Sequence, residues 1–279
     1  MRMDERLRIG ALAAWKAGLE ILEIYATDFE VDYKEDSSPL TEADQRADKA
    51  IRKVLKSYNK PIISEETKQV AFEHRKDWPA YWLVDPLDGT KEFVQKNDEF
   101  TVNIAYVENE KPKFGVLYVP VSKEIYLADV VQKKIYLLSI TEYIKESDFE
   151  QLESLVELVE KPDNNAFHSI AVSRSHLDTK TQSIVTRLTE NGKVKLIRMG
   201  SALKYVKLVT GEIDLYFRFS PTMEWDNAAG HALCLASGLT MCQLPNKETL
   251  HYNTEALYSP HFAAGTQLAV NTLLDNLFF

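Results

Sequence analysis

The chain has almost no cysteine, little glycine or proline, no long apolar run and no excess of positive charge. Two of its 279 residues are cysteines, Cys234 and Cys242. Two make no disulfide framework, which excludes the small stapled secreted scaffolds and favours a reduced, cytoplasmic chain. Peripheral contact with the inner face of the cell membrane is the one alternative placement. Ten glycines and ten prolines exclude a collagen-like or low-complexity polymer. The N-terminal stretch is interrupted by Asp4, Glu5, Lys16 and Glu20, so it reads as neither a signal peptide nor a transmembrane segment. Lysine and arginine total 33 against 42 acids, a net charge of −9. A surface of that sign makes nucleic-acid polymers and anionic membranes poor partners. A site for an anionic ligand would have to reverse the sign locally, with metal ions or clustered cationic and amide donors.

What remains is ordinary globular composition, 45% hydrophobic and 27% charged, long enough for one large domain or two intimate ones. Leu12, Trp15, Leu19, Leu22 and Tyr25 recur at helical spacing, predicting a helix over 4–26. Thr41 reads as the N-cap of a helix over 42–57. Short strands are expected at 61–64 and 81–84, with a charged loop over 67–79. Residues 99–138 carry several strand-like runs split by turn residues, an antiparallel meander. Segment 139–167 looks like an excursion from that sheet, with helical periodicity through Phe149, Leu152, Leu155 and Val156. Beyond it, strands (169–173, 193–198, 213–219) alternate with helices (178–190, 201–210, 226–237), an α/β pattern. The expected architecture is an α+β first half, residues 1–166, and an α/β second half, residues 167–279, with a cleft between them.

Four short elements carry candidate chemistry. The strongest is Asp85-Pro86-Leu87-Asp88-Gly89-Thr90 after a strand. Pro86 biases Asp85 toward an extended backbone, and Gly89 permits a tight turn. Two carboxylates three residues apart on a turn can converge on cations, with the Leu87 carbonyl as a third oxygen, a donor set suited to Mg²⁺. The Gly89 and Thr90 amides would then face a phosphate oxygen. The second element is Ser64-Glu65-Glu66, by itself more simply a solvated acidic loop. The third is Trp225-Asp226-Asn227-Ala228-Ala229-Gly230, where Asp226 could merely favour a helix start. The fourth is Asp44, three residues after Thr41, a place that acids occupy for capping alone.

In this order along the chain, 38–44, 65–66, 85–90 and 225–230 resemble the inositol monophosphatase superfamily of metal-dependent, lithium-sensitive phosphatases. The runs from Trp82 to Phe93 and from Glu99 to Ile104, Ser173-Arg174-Ser175-His176, Gly200-Ser201-Ala202-Leu203-Lys204 and the run ending at His231 are similar to the 3′(2′),5′-bisphosphate nucleotidases of that superfamily, the CysQ type. The resemblance spans nearly the whole chain. It implies a layered αβαβα sandwich of the sugar-phosphatase type. It also implies two or three Mg²⁺ ions held by Glu65, Asp85, Asp88, Asp226 and the Leu87 carbonyl, with Li⁺ inhibitory.

Four carboxylates brought together without cations would repel one another and be driven toward protonation. By the same resemblance Asp44, Thr90 and Glu65 form the catalytic set, with water as nucleophile. Gly89, Thr90, Ser173, His176, Gly200, Ser201, Lys204 and Asp226 line the substrate, a small phosphorylated nucleotide, and Arg218 is a further candidate. Helix capping for Ser201, a solvated helix face for Lys204 and a surface position for His176 are the structural alternatives. Rival readings are a cyclitol or sugar-phosphate phosphatase, a catalytically silent nucleotide sensor and an interaction module using 139–167. A monomer and a homodimer are equally compatible with the sequence.

Overall fold

The computed structural model describes residues 3–33, 39–163, 165–175, 177–190 and 192–277. Helix α1 (Glu5–Tyr25) starts at Asp4, whose carboxylate accepts the Arg6 N–H. Its buried face differs from the predicted stripe. Leu19 is exposed, and the inner face is Leu7, Gly10, Ala11, Ala14, Ala17, Gly18 and Ile21. The reason is close approach: a Cβ on Gly18 would stand 1.9 Å from the Tyr118 ring. The hairpin β1 (Val31–Tyr33) and β2 (Pro39–Thr41) leads into α2 (Glu42–Leu55), with a 3₁₀ turn at Lys56–Tyr58.

Seven strands form the first sheet: β3 (Ile62–Ser64), β4 (Ala80–Asp88), β5 (Thr101–Glu108), β6 (Lys111–Val119), β7 (Glu124–Asp129), β8 (Lys134–Ser139) and β9 (Glu157–Leu158), in that spatial order. Only β3 and β4 run parallel, so the predicted meander stands. Two short helices interrupt this part, α3 (Phe72–Arg75), inside the predicted charged loop, and α4 (Thr90–Val94). Segment 139–167 is less of an excursion than expected. Its 3₁₀ stretch Glu146–Ser154 buries Phe149 and Leu152, Phe149 stacks on Trp15, and β9 returns to the sheet edge.

The second sheet has five strands in the order β11 (Lys195–Met199), β10 (Ser169–Ser173), β12 (Leu215–Arg218), β16 (Phe262–Gly265), β14 (Thr240–Gln243). A small pair, β13 (Thr222–Met223) with β15 (Tyr258–Ser259), stands beside it. The helices here are α5 (Thr179–Thr189), α6 (Leu203–Val209), α7 (Glu224–Ser237) and α8 (Gln267–Asp275). Every strand of the first sheet precedes residue 159 and every strand of the second follows 168.

Side-chain alternation along the strands separates the layers. Trp82 and Val84 of β4 face α1 and α2, while Tyr81 and Leu83 join the cluster of α6 and α7. In the second sheet Ala171 and Tyr216 face that same helix layer. Ile170, Val172, Leu215 and Phe217 pack instead with Ile184 of α5 and Val270 of α8. The result is the expected αβαβα sandwich, with α6 and α7 in the middle. Helix α7 lies hard on β6, because a Cβ on Gly115 would be 2.6 Å from the Ala232 Cβ. The small residues after Asp226 permit this approach and hold the start of α7 in place.

Candidate active site

A cavity of about 510 Å³ opens where the C-terminal end of β4 meets the starts of α4, α6 and α7. Contrary to the expected turn, β4 continues through Asp85 to Asp88. It does so with a bulge, since Asp85 pairs with Asn103 and Asp88 with Thr101. Residues three apart on a regular strand face opposite sides, and the extra residue of the bulge cancels that alternation. Both carboxylates therefore line one cavity. Pro86, which donates no hydrogen bond, sits within this bulge, a place proline is tolerated.

Glu65 follows β3, and its backbone N–H donates to the Val84 carbonyl beside Asp85. Asp226 lies in the first turn of α7 and accepts the Met223 N–H at 3.0 Å. Carboxylate oxygens of Glu65, Asp85 and Asp226 all lie within 4.8 Å of one another. Burial, then the charges of Glu65, Asp88 and Asp226, pushes Asp85 well above the carboxylate range. Burial, then Asp88 and Glu65, does the same to Asp226. Clustered hard oxygens that resist ionisation by themselves are a donor set that a divalent cation fits.

Asp88 is placed differently. Its Oδ2 accepts both the Asn103 side-chain amide (3.2 Å) and the Ala202 N–H (2.5 Å), and it stands outside the tight trio. Burial raises it to about 6, opposed by Lys204 and these two hydrogen bonds. Asp44 is both a cap and more than a cap. Its Oδ2 accepts the Thr41 N–H and hydroxyl, closing the capping box of α2. Its Oδ1 lies 3.1 Å from the Thr90 hydroxyl, which is also 3.3 Å from the Leu87 carbonyl. Gly89, with φ of 93°, makes the turn that swings Thr90 back over this group.

The cavity lining also carries cations. Lys204 is buried, not on a solvated helix face, and its ammonium donates to the Ser201 and Met199 carbonyls above the Tyr216 ring. Burial lowers it to about 8. The Arg218 guanidinium shares the cavity wall. Burial disfavours its charge, but Tyr216 and Asp226 more than compensate, and its pKa is raised.

The family model for the inositol monophosphatase family matches residues 2–273. The chain belongs to the inositol monophosphatase family. Among family relatives, the 3′(2′),5′-bisphosphate nucleotidase CysQ of Salmonella typhimurium is 37% identical over 253 residues, 89% of this chain and 95% of that protein. The crystal structure of CysQ from Bacteroides thetaiotaomicron superposes with a TM-score of 0.81 at 40% identity, covering 94% of this chain and 97% of that one. An inositol monophosphatase/NADP phosphatase solved with Mg²⁺ and phosphate has a TM-score of 0.74 at 17% identity, covering 96% and 94%, a likeness that carries the fold alone.

Of the residues singled out in the sequence, Glu65, Asp85, Leu87, Asp88, Gly89, Thr90, Ser173, Ser201, Lys204, Arg218 and Asp226 all line the one cavity. Asp44 reaches it through Thr90. Gly200 does not line it: its N–H is taken by Glu99, which also binds Arg174, and the Glu92 side chain fills the space beside its Cα. Ser201 has a left-handed backbone (φ 47°), and its hydroxyl accepts the Leu203 N–H, although the N-cap of α6 is Ala202. His176 and Ser38 lie outside the described residues. Sequence reasoning missed Glu92, which is buried and accepts the Ser175 hydroxyl, and Tyr216 beneath Lys204. No spacing marks either one. Among the described residues, no helix is long and apolar enough to cross a membrane, and both cysteines are free and buried.

Proposed function

We propose that this chain is a Mg²⁺-dependent phosphatase of 3′(2′),5′-bisphosphate nucleotides, converting adenosine 3′,5′-bisphosphate to AMP and phosphate. The observation that carries the reading is the trio Glu65, Asp85 and Asp226. Its oxygens lie within 4.8 Å of one another, on a cavity that Lys204 and Arg218 also line. The bisphosphate nucleotidase names of the curated relatives supply the substrate class.

Glu65, Asp85, Asp88, Asp226 and the Leu87 carbonyl would hold two or three Mg²⁺ ions. When bound, Mg²⁺ would turn an anionic pocket into one that admits a phosphate dianion and would offset charge in phosphoryl transfer. The protein's own groups handle the water and the protons. Water is the nucleophile, oriented by Thr90 and, at the cluster, by Glu65. Its proton passes by way of the Thr90 hydroxyl to Asp44 Oδ1. The ribose oxygen leaves with a proton from a water held beside Asp226.

The second, non-reacting phosphate would be met by Lys204 and Arg218, with the hydroxyls of Ser173 and Ser201 nearby. Gly89 keeps the backbone close enough for its own and the Thr90 amide to approach the reacting phosphate. By the sequence resemblance alone, His176 would contact the nucleotide.

The test is phosphate release from adenosine 3′,5′-bisphosphate, its 5′-sulfated form and inositol 1-phosphate, with Mg²⁺, each with and without Li⁺. Preference for inositol 1-phosphate defeats the substrate assignment. No Mg²⁺-dependent release from any of them defeats the enzyme assignment.

A further inference from the structure

We infer that Arg75 is a positioning residue for the carboxylate trio: through Asn253 and Glu224 it sets where Asp226 stands relative to Glu65. The inference rests on the metal site proposed above. Nothing in the sequence draws attention to Arg75, one of three charged residues near the end of a charged loop.

In the structure Arg75 is only 2% exposed, yet it is fully engaged. Its Nε donates to the Val70 carbonyl at 3.0 Å. One terminal nitrogen donates to Asn253 Oδ1 at 2.6 Å and the other to the Glu255 carbonyl at 2.7 Å. The Asn253 side chain returns a bond from its Nδ2 to the Arg75 carbonyl. These partners lie 178 and 180 residues away along the chain.

The connection continues to both sides of the trio. Toward Asp226, Glu224 is fully buried at the first position of α7. Its Oε2 accepts the Asn253 N–H at 2.6 Å, and its Oε1 accepts the N–H and hydroxyl of Thr254. Its own N–H donates to the Leu257 carbonyl. Asp226 follows two residues later. Toward Glu65, Gln69 ties the segment that Arg75 anchors at Val70, donating to the carbonyls of Ser64 and Thr67. Glu65 lies inside that closed segment. Hydrogen bonds, joined through the backbone at Gln69–Val70 and within Asn253, thus connect the Glu65 loop to the helix start that carries Asp226.

Mechanical attachment alone does not call for such groups. Burying a guanidinium and a carboxylate costs more than an apolar contact of similar volume, and what they provide in return is a defined geometry. A trio of repelling carboxylates is where geometry is hardest to hold. Without the brace, repulsion would let α7 and the Glu65 loop move apart, and a cation bridging them would be held less well.

The experiment uses the full chain with Arg75→Met, Arg75→Lys and Asn253→Ala. Cation binding is read without substrate, as the Mg²⁺ dependence of the melting temperature and as Mn²⁺ binding by water-proton relaxation. The kcat and KM are then measured at saturating Mg²⁺. The expected result is a rise of about tenfold in half-saturating cation for Arg75→Met and Asn253→Ala, the scale seen when partners behind metal ligands are removed. KM should stay unchanged, and Arg75→Lys, which keeps the charge but not the planar fork that reaches three acceptors, should fall between. Variants that melt lower but keep the wild-type half-saturation overturn the inference and leave the phosphatase reading intact. A wild type that binds Mn²⁺, with weakened binding in the variants, but releases no phosphate supports the inference and defeats that reading. A wild type with no cation dependence at all overturns both.

Discussion

Replacing Asp88 by Asn should make the metal-free protein more stable while abolishing its turnover. The two atoms that bond Asp88 both reach its Oδ2, so an asparagine oxygen in that place keeps both. What changes is charge. In the folded, metal-free chain Asp88 ionises near pH 6, because of burial, against an ordinary value of 3.8. The folded value is the higher one, so the group's stabilising contribution is complete below pH 3.8 and is lost as pH rises through about 6. The gap corresponds to about 3 kcal/mol of destabilisation at neutral pH.

That figure is already net of the attraction of Lys204, which opposes burial at Asp88. For a chain of this size a gain of about 3 kcal/mol raises the melting temperature by about 5 °C. The assay is thermal unfolding by circular dichroism in EDTA from pH 5 to 8, repeated with Mg²⁺. The advantage of Asp88→Asn should be largest at pH 8 and shrink as pH falls through 6. Mg²⁺ should stabilise the wild type, by about 2.7 kcal/mol at a hundredfold excess over its dissociation constant, and the variant much less. A variant that melts below the wild type in EDTA at pH 8 would refute this account of the site.

Two further outcomes are expected. Thr90→Val removes the hydroxyl that faces Asp44 but preserves side-chain shape, so kcat should fall by about 10²–10³ while the melting temperature barely moves, as steady-state kinetics and a melt will show. Gly230→Ala would place a Cβ 2.1 Å from the ring of Tyr205, which is fully buried and tied by its hydroxyl to Asn227; a loss of about 3 kcal/mol is expected, and a denaturant melt within about 1 kcal/mol of wild type would contradict it.

The sequence by itself determined what depends on near neighbours along the chain. Thr41 with Asp44 specifies the start of α2, alternation specifies the strands of the meander, and Gly89 specifies the turn before Thr90 because glycine acts on its own backbone. The order of these elements was enough to indicate the family and the layered fold. Only the tertiary structure decided what depends on distant partners. It gave the Gly200 amide to Glu99, set Asp88 apart from the trio and joined Arg75 to Asn253. Burial and charge at a site are properties of whatever packs there, and here that comes from a hundred or more residues away. Local propensity reaches a few residues, whereas a carboxylate's ionisation and a buried cation's partners are set across the whole folded volume.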